Sequence, residues 1–298
     1  MRTPSLLAPG SRVALVAPAG PLRDAGDVEH ALASAHSFGW EPVVGSYVLE
    51  RTGYLAGSDE HRLADFNRFA ADPSVHAIWC LRGGYGCMRL LDGLDYEAWR
   101  RHPKTLIGYS DITALHAAIG KRAELVTYHG PTARARLTEF TRASLRAAVV
   151  EGQQPCGPSV DAITLCGGRA RGRLVGGNLA LVAAICGTPF APSFDDALVV
   201  FEDVNEAVYR IDRMLTQLKL SGAFDRIAGI AFGRFTDIPA EPGHEERPLL
   251  DLLREVAAER RVPCVANIPL GHIDDQWTVP LGAFAELDAD ARTLTVEL

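Results

Sequence analysis

Apolar residues in the first 130 positions alternate between two patterns. Short continuous runs read as buried strands: "RVALVAP" (12–18), "EPVVGSYV" (41–48), "VHAIWCLR" (75–82), "KTLIGYS" (104–110) and "ELVTYHG" (124–130). Between them, apolar positions return at helical spacing. Ala31, Leu32, Ala35 and Phe38 predict a helix over 27–39 that Gly39 stops. Leu63, Phe66 and Phe69 predict another over 58–73, with Ser58 as its cap and Pro73 beyond its end. Further helices are predicted near 87–101 and 111–120. Strand–helix alternation predicts parallel strands with helices on both faces, and ligands at the carboxyl ends of the strands.

The pattern changes after residue 135. One helix is predicted at about 138–151, followed by a stretch rich in Pro, Gly and Gln, so 136–165 reads as a linker. Beyond it, strands around glycines lead into a helix, and "DALVVFEDV" (196–204) is a strong strand. Ile211, Leu215 and Leu218 share one face of a helix over 206–222. A strand (226–235), a helix (247–260) and a strand (262–271) follow. The chain closes as a hairpin over 278–298 with "DADAR" at its turn. The expected organisation is an α/β domain at 1–135, the linker, and a smaller β-rich α/β domain at 166–298.

Composition narrows the function classes. The 298 residues are 47% hydrophobic and 22% charged, with a formal net charge of -7, which argues against a nucleic-acid partner. No apolar run reaches membrane-span length, so no membrane partner is expected. Pro4, Pro9, Gly10 and Arg12 interrupt the amino terminus, so no signal peptide is read and a cytoplasmic location is expected. None of the six cysteines forms a C-x-x-C pair, and "GHEERP" (243–248) lacks the spacing of a helical zinc site. No metal is expected.

Four stretches carry candidate chemistry. "LIGYSDITAL" (106–115) ends a strand and opens a helix at Ser110. Ser110 is either a nucleophile on a tight turn or, with Asp111, a plain helix cap; the two roles are compatible. In "LRGGYGCMRL" (81–90), Gly83, Gly84 and Gly86 let backbone N–H groups approach an anion, or form a turn with no ligand. Glu202 and Asp203 end an apolar strand, where a carboxylate needs a partner or the rim; Asp203 or Asn205 also suits a helix cap. His272 follows Gly271 in a loop with Asp274 and Asp275; His129 also ends a predicted strand. A serine, an acid and a histidine each just past a strand give a hydrolase reading a mechanism.

These stretches resemble a known family. "RGGYG", "GYSDITALH", "GRLVGGNLALVAAICGTPF", "FEDVNEAVYRIDRMLTQLKLSGAF" and "GHIDDQWTVPLGAFAELD" look like the motifs of the LD-carboxypeptidases. That serine peptidase family includes muramoyltetrapeptide carboxypeptidase and the microcin C self-immunity proteins. The resemblance covers nearly the whole chain. It implies a Rossmann-like amino-terminal domain, a β-rich carboxyl-terminal domain, and a triad of Ser110, Glu202 and His272. It implies oxyanion donors at the N–H groups of Asp111 and Gly84, a homodimer, and no metal or other cofactor.

The implied substrate is a small peptide, the cytoplasmic murein tetrapeptide, losing its terminal D-Ala in cell-wall recycling. Gly83, Tyr85 and Trp277 are expected at the substrate. The residue that holds its terminal carboxylate is not given by the sequence; Arg82 and Arg234 are candidates by placement alone. The acidic "HIDDQWT" departs from the usual pattern and leaves substrate choice open. One alternative is a microcin C immunity-type hydrolase of peptidyl or aminoacyl nucleotides, with Trp277 as the platform for adenine. An alternative of another class is a non-catalytic anion-binding module.

Overall fold

The structure is a computed structural model that describes residues 1–240 and 247–297. Residues 243–246 of the "GHEERP" stretch lie outside the described residues.

The first half runs β1 (Arg12–Val16), α1 (Ala25–Ser37), β2 (Glu41–Val44), α2 (Asp59–Ala71), β3 (Ala77–Cys80), α3 (Tyr96–Arg101), β4 (Thr105–Gly108), α4 (Thr113–Ala123), β5 (Thr127–His129) and α5 (Glu139–Arg146). The expected strands and helices are all present. The predicted 87–101 helix divides into a 3-10 turn (Cys87–Gly93) and α3. Helix α5 continues through one π turn to Glu151. Its amino terminus is held by the Thr138 hydroxyl, which accepts from the Thr141 N–H at 3.1 Å.

The second half runs β6 (Ile163–Cys166), β7 (Arg169–Asn178), α6 (Leu179–Ile185), β8 (Ala197–Val204), α7 (Val208–Leu220), β9 (Gly229–Thr236), α8 (Leu249–Arg260), β10 (Cys264–Ala266), β11 (Val279–Leu281), β12 (Phe284–Asp288) and β13 (Thr293–Glu297). These strands build a mixed sheet in the order β13-β12-β7-β8-β9-β10-β6, in which β7 to β10 are parallel and the outer pairings are antiparallel.

The first sheet has the order β11-β5-β4-β3-β1-β2 and is parallel except at one edge. That edge is β11, from near the chain's end, with Val279 opposite His129. "TVPL" therefore does not begin the closing hairpin, as its alternation suggested. It adds to the first sheet, and only β12 and β13 form the hairpin. Pro280 lacks an N–H, and an edge strand tolerates that loss. The two sheets share one core: Leu15 and Trp79 belong to the same buried cluster as Leu198, Val200 and Leu287.

Glycines let the sheets meet closely. A Cβ on Gly177 (φ +120°) would stand 2.6 Å from Thr113 Oγ1 and 3.2 Å from His129 Nδ1. The Thr113 hydroxyl also accepts the Asn178 N–H at 3.0 Å, tying the end of β7 to the start of α4. Among the described residues, no helix is long and apolar enough to cross a membrane.

Candidate active site

Strand β4 ends at Gly108, Tyr109 is extended, and Ser110 then turns to φ +65° before the 3-10 turn Ser110–Ile112 leads into α4. A left-handed conformation costs a non-glycine residue about 1–2 kcal/mol. Surrounding structure must therefore hold it there. Gly83 does so from one side. A Cβ at Gly83 would stand 2.8 Å from Ser110 Cβ and 3.0 Å from its Oγ. Gly84 (φ +117°) packs in turn on Gly20, and the Gly20 N–H donates to the Gly83 carbonyl at 3.1 Å.

The capping reading of this turn is not what the side chains do. Among the described residues no side chain caps the 3-10 turn or α4. Asp111 points inward, and its carboxylate accepts the Cys87 N–H at 2.8 Å. Burial pushes its carboxyl above the ordinary range, against that hydrogen bond. Asp111 thus fastens the residue after the glycine loop to the start of the turn.

Glu202 lies one residue from the end of the apolar part of β8 and is completely buried. Successive side chains on a strand point to opposite faces. The Glu202 carboxylate meets His272, whose Nδ1 lies 2.7 Å from Glu202 Oε2. Asp203 points the other way and accepts from Asn178 Nδ2 and the N–H groups of Ala180 and Val204. It serves the start of α6, not of α7 as its position suggested. Burial raises its pKa to about 6.

Two features make room for the Glu202–His272 pair. The pairing of β8 with β9 shifts register between Phe201 and Asp203, so the strand is irregular at Glu202. Gly271 (φ +122°) is in contact with the carboxylate; a Cβ there would stand 2.9 Å from both Glu202 Cβ and Oε2. Beyond His272 the loop is fastened to α5. The Thr141 hydroxyl donates to the Asp274 carbonyl (2.6 Å) and accepts the Gln276 N–H (2.9 Å). The Ser144 hydroxyl accepts the Thr278 N–H at 2.8 Å.

Tyr109 connects the two halves of the site. It directly precedes Ser110, and its ring centroid is 4.8 Å from that of His272. Burial raises its phenol pKa, the Glu202 charge adds to the shift, and a hydrogen bond from Gln276 partly opposes it. Reasoning from sequence passed over Tyr109. The available signal was an aromatic residue between strand end and serine in "GYSDIT".

Family models match most of the chain. The LD-carboxypeptidase N-terminal domain matches residues 13–130, and the LD-carboxypeptidase C-terminal domain matches residues 171–287. The chain belongs to the LD-carboxypeptidase family. It is 35% identical to the murein tetrapeptide carboxypeptidase of Pseudomonas aeruginosa, over 94% of each chain. It is 27% identical to the microcin C7 self-immunity protein of Escherichia coli, over 87% of this chain and 84% of that one. The crystal structure of muramoyltetrapeptide carboxypeptidase from Oxalobacter formigenes superimposes with a TM-score of 0.85 at 28% identity, covering 96% of this chain and 98% of that one.

Other expected residues of this LD-carboxypeptidase family member are placed less simply. Tyr85 is half exposed, with its ring 5.4 Å from that of Tyr54. Trp277 does not stand at a pocket rim. It is 3% exposed within the core, so it has no open face on which a base could stack. The acids of "HIDDQWT" anchor the loop: Asp275 accepts the Thr138 hydroxyl at 2.6 Å. Arg234 is bonded to Asp161 at 2.9 Å. Arg82 donates to the Pro21 carbonyl beside the glycine loop. Among the described residues, no three His, Cys, Asp or Glu side chains are grouped to hold a metal ion.

Proposed function

We propose that this chain is a serine carboxypeptidase that removes the terminal D-Ala of a murein tetrapeptide through Ser110, Glu202 and His272. The 2.7 Å contact between the buried Glu202 and the partly exposed His272, together with the strained Ser110 turn, carries this reading. The similarity to the Pseudomonas aeruginosa enzyme supports the substrate.

The roles follow from the atoms. Glu202 accepts the Nδ1 proton and so selects the tautomer with a free Nε2 lone pair. Nε2 takes the Ser110 proton as Oγ attacks the carbonyl carbon between an L-centre and the terminal D-residue. The new imidazolium is stabilised by the fully buried carboxylate, and it then protonates the leaving amine. Water hydrolyses the acyl-enzyme by the same relay. The oxyanion faces the N–H groups of Asp111 and Gly84. The first N–H groups of a helical turn have no partner within it. Each such donor contributes about 3–4 kcal/mol to barrier lowering.

The proposal includes catalysis across two domains, 1–135 with the nucleophile and 166–298 with the acid and base. It also includes a homodimer and a cytoplasmic role in cell-wall recycling. Mass spectrometry of products from a panel of murein peptides tests the reaction. Release of D-Ala from the tetrapeptide, lost in Ser110→Ala, is expected. Cleavage only of an aminoacyl sulfamoyl adenosine would move the chain to the immunity-type reading, which the Escherichia coli relative favours and the buried Trp277 disfavours. Peptide binding without hydrolysis would leave the non-catalytic module.

A further inference from the structure

Four guanidinium groups gather beside the glycine loop, with a single carboxylate, Asp27, bonded to them among the described residues. Arg82 follows β3 and folds back over the contact between Gly20 and Gly84. A Cβ on Gly20 would stand 3.6 Å from its guanidinium carbon and 3.5 Å from Gly84 Cα. The next residue, Gly83, is the one in contact with Ser110. Arg134 comes in from the end of β5, where the Ala133 N–H donates to the Cys80 carbonyl at 2.9 Å. Its positive charge acts on Arg82 and on the Tyr109 phenol. Arg23 and Arg51 bond the same 21–27 segment that Arg82 reaches at Pro21: Arg23 Nη2 meets Asp27 at 2.8 Å and Arg51 donates to the Leu22 carbonyl at 2.9 Å.

The charges in this group do not balance. Asp27 is taken mainly by Arg23, with contacts of 2.8 Å from Nη2 and 2.9 Å from the backbone N–H, which hold its carboxyl at about 2. Arg134 Nη1 stands farther off, at 3.5 Å from Asp27, and Arg134 Nε is buried without a hydrogen-bond partner among the described residues. Arg82 and Arg51 are bonded to carbonyls, of Pro21 and Leu22, which carry no charge. Asp24 adds only a weak attraction on Arg23. Arg82 and Arg134 are partly buried, and among the described residues neither has a carboxylate nearer than 3.5 Å, so both favour an added anionic partner.

The chemistry of a carboxypeptidase specifies that anion. Its substrate carries an α-carboxylate one residue beyond the attacked carbonyl, about 4 Å from it by bond lengths. A group that binds this carboxylate must therefore sit close to the serine. Arg234, the other cation placed there by sequence, is bonded to Asp161. We propose that Arg134 and Arg82 bind the terminal α-carboxylate of the peptide and so restrict the site to free carboxyl ends. This rests on the carboxypeptidase reading above. Planar guanidinium forks suit a carboxylate, and the partly exposed Arg134 has only the 3.5 Å contact to Asp27 as an ion pair among the described residues. Both are specificity-determining residues and take no part in proton transfer.

The test uses the full chain as Ser110→Ala, which holds peptide without turning it over. Calorimetry compares a murein tetrapeptide ending in free D-Ala with the same peptide ending in D-alaninamide. The acid should bind roughly 10- to 100-fold more tightly than the amide, as expected for charge-assisted hydrogen bonds. Adding Arg134→Gln or Arg82→Gln should bring that ratio within about threefold, and Arg134→Lys should restore part of it. Amide affinity should stay constant, which checks that each variant is folded. An unchanged ratio in both Gln variants, with D-Ala release by the unmodified enzyme intact, overturns this proposal alone. Failure of the Ser110→Ala protein to bind either peptide, with no release by the unmodified enzyme, overturns it together with the carboxypeptidase reading.

Discussion

Glu202 and His272 are 70 residues apart in sequence and meet at 2.7 Å, with the carboxylate completely buried and the imidazole partly open to solvent. A buried carboxylate with one oxygen on a histidine and the other, Oε1, without a hydrogen-bond partner among the described residues is costly as pure structure. It is suited to stabilise an imidazolium that exists only during the reaction.

Glu202→Gln keeps the shape of that contact and removes its charge. The turnover number for the tetrapeptide should fall by about three orders of magnitude, with little change in KM. Steady-state kinetics of D-Ala release check this. A loss below tenfold would remove Glu202 from the mechanism.

Gly271→Ala should damage the same pair from behind. The added Cβ would stand 2.9 Å from Glu202 Oε2 and 3.1 Å from the Arg234 carbonyl, at a φ of +122°. Overpacking together with backbone strain should destabilise the fold by about 2–4 kcal/mol. Chemical denaturation measures it, and activity should fall further than stability alone explains.

The Ser110 turn predicts a difference between two inactive variants. At φ +65°, alanine keeps the strain and glycine relieves it. Ser110→Gly should therefore be more stable than Ser110→Ala by about 1 kcal/mol. Equal midpoints in denaturant would show that the turn is unstrained.

Asp203 predicts a pH dependence of stability. Its folded pKa is about 6, above the ordinary 3.8, so the folded chain holds this proton more tightly than the unfolded chain. Stability from this group is full below pH 4 and is lost as pH rises through 6. Across that window the advantage of the natural chain over Asp203→Asn should shrink by up to about 3 kcal/mol. Denaturation at pH 4.5 and 7 checks the sign.

Local pattern was enough for the elements of the first sheet. Its strands are apolar runs and its helices carry regular faces, most of them with their own caps, as when the Ser58 hydroxyl accepts the His61 N–H at 3.1 Å. That Ser110 lies just past β4 and Glu202 near the end of β8 was legible for the same reason, although β8 runs two residues beyond Glu202 instead of stopping before it. A β-strand that gives way to a polar residue announces its carboxyl end.

What lay beyond local pattern is long-range pairing. Residues 279–281 look like the start of a hairpin, yet they complete the first sheet beside His129, because a three-residue apolar run does not encode its partner. Trp277 looked like a rim aromatic because its neighbours are acidic, but Asp275 bonds the Thr138 cap of α5 and the indole enters the core. The sequence by itself determined the alternating elements, the strand ends and the residues able to carry the chemistry. Only the tertiary structure decided which acid faces His272, that Tyr109 lies against it, and that Arg134 comes to Asp27, because each depends on contacts between segments far apart in the chain.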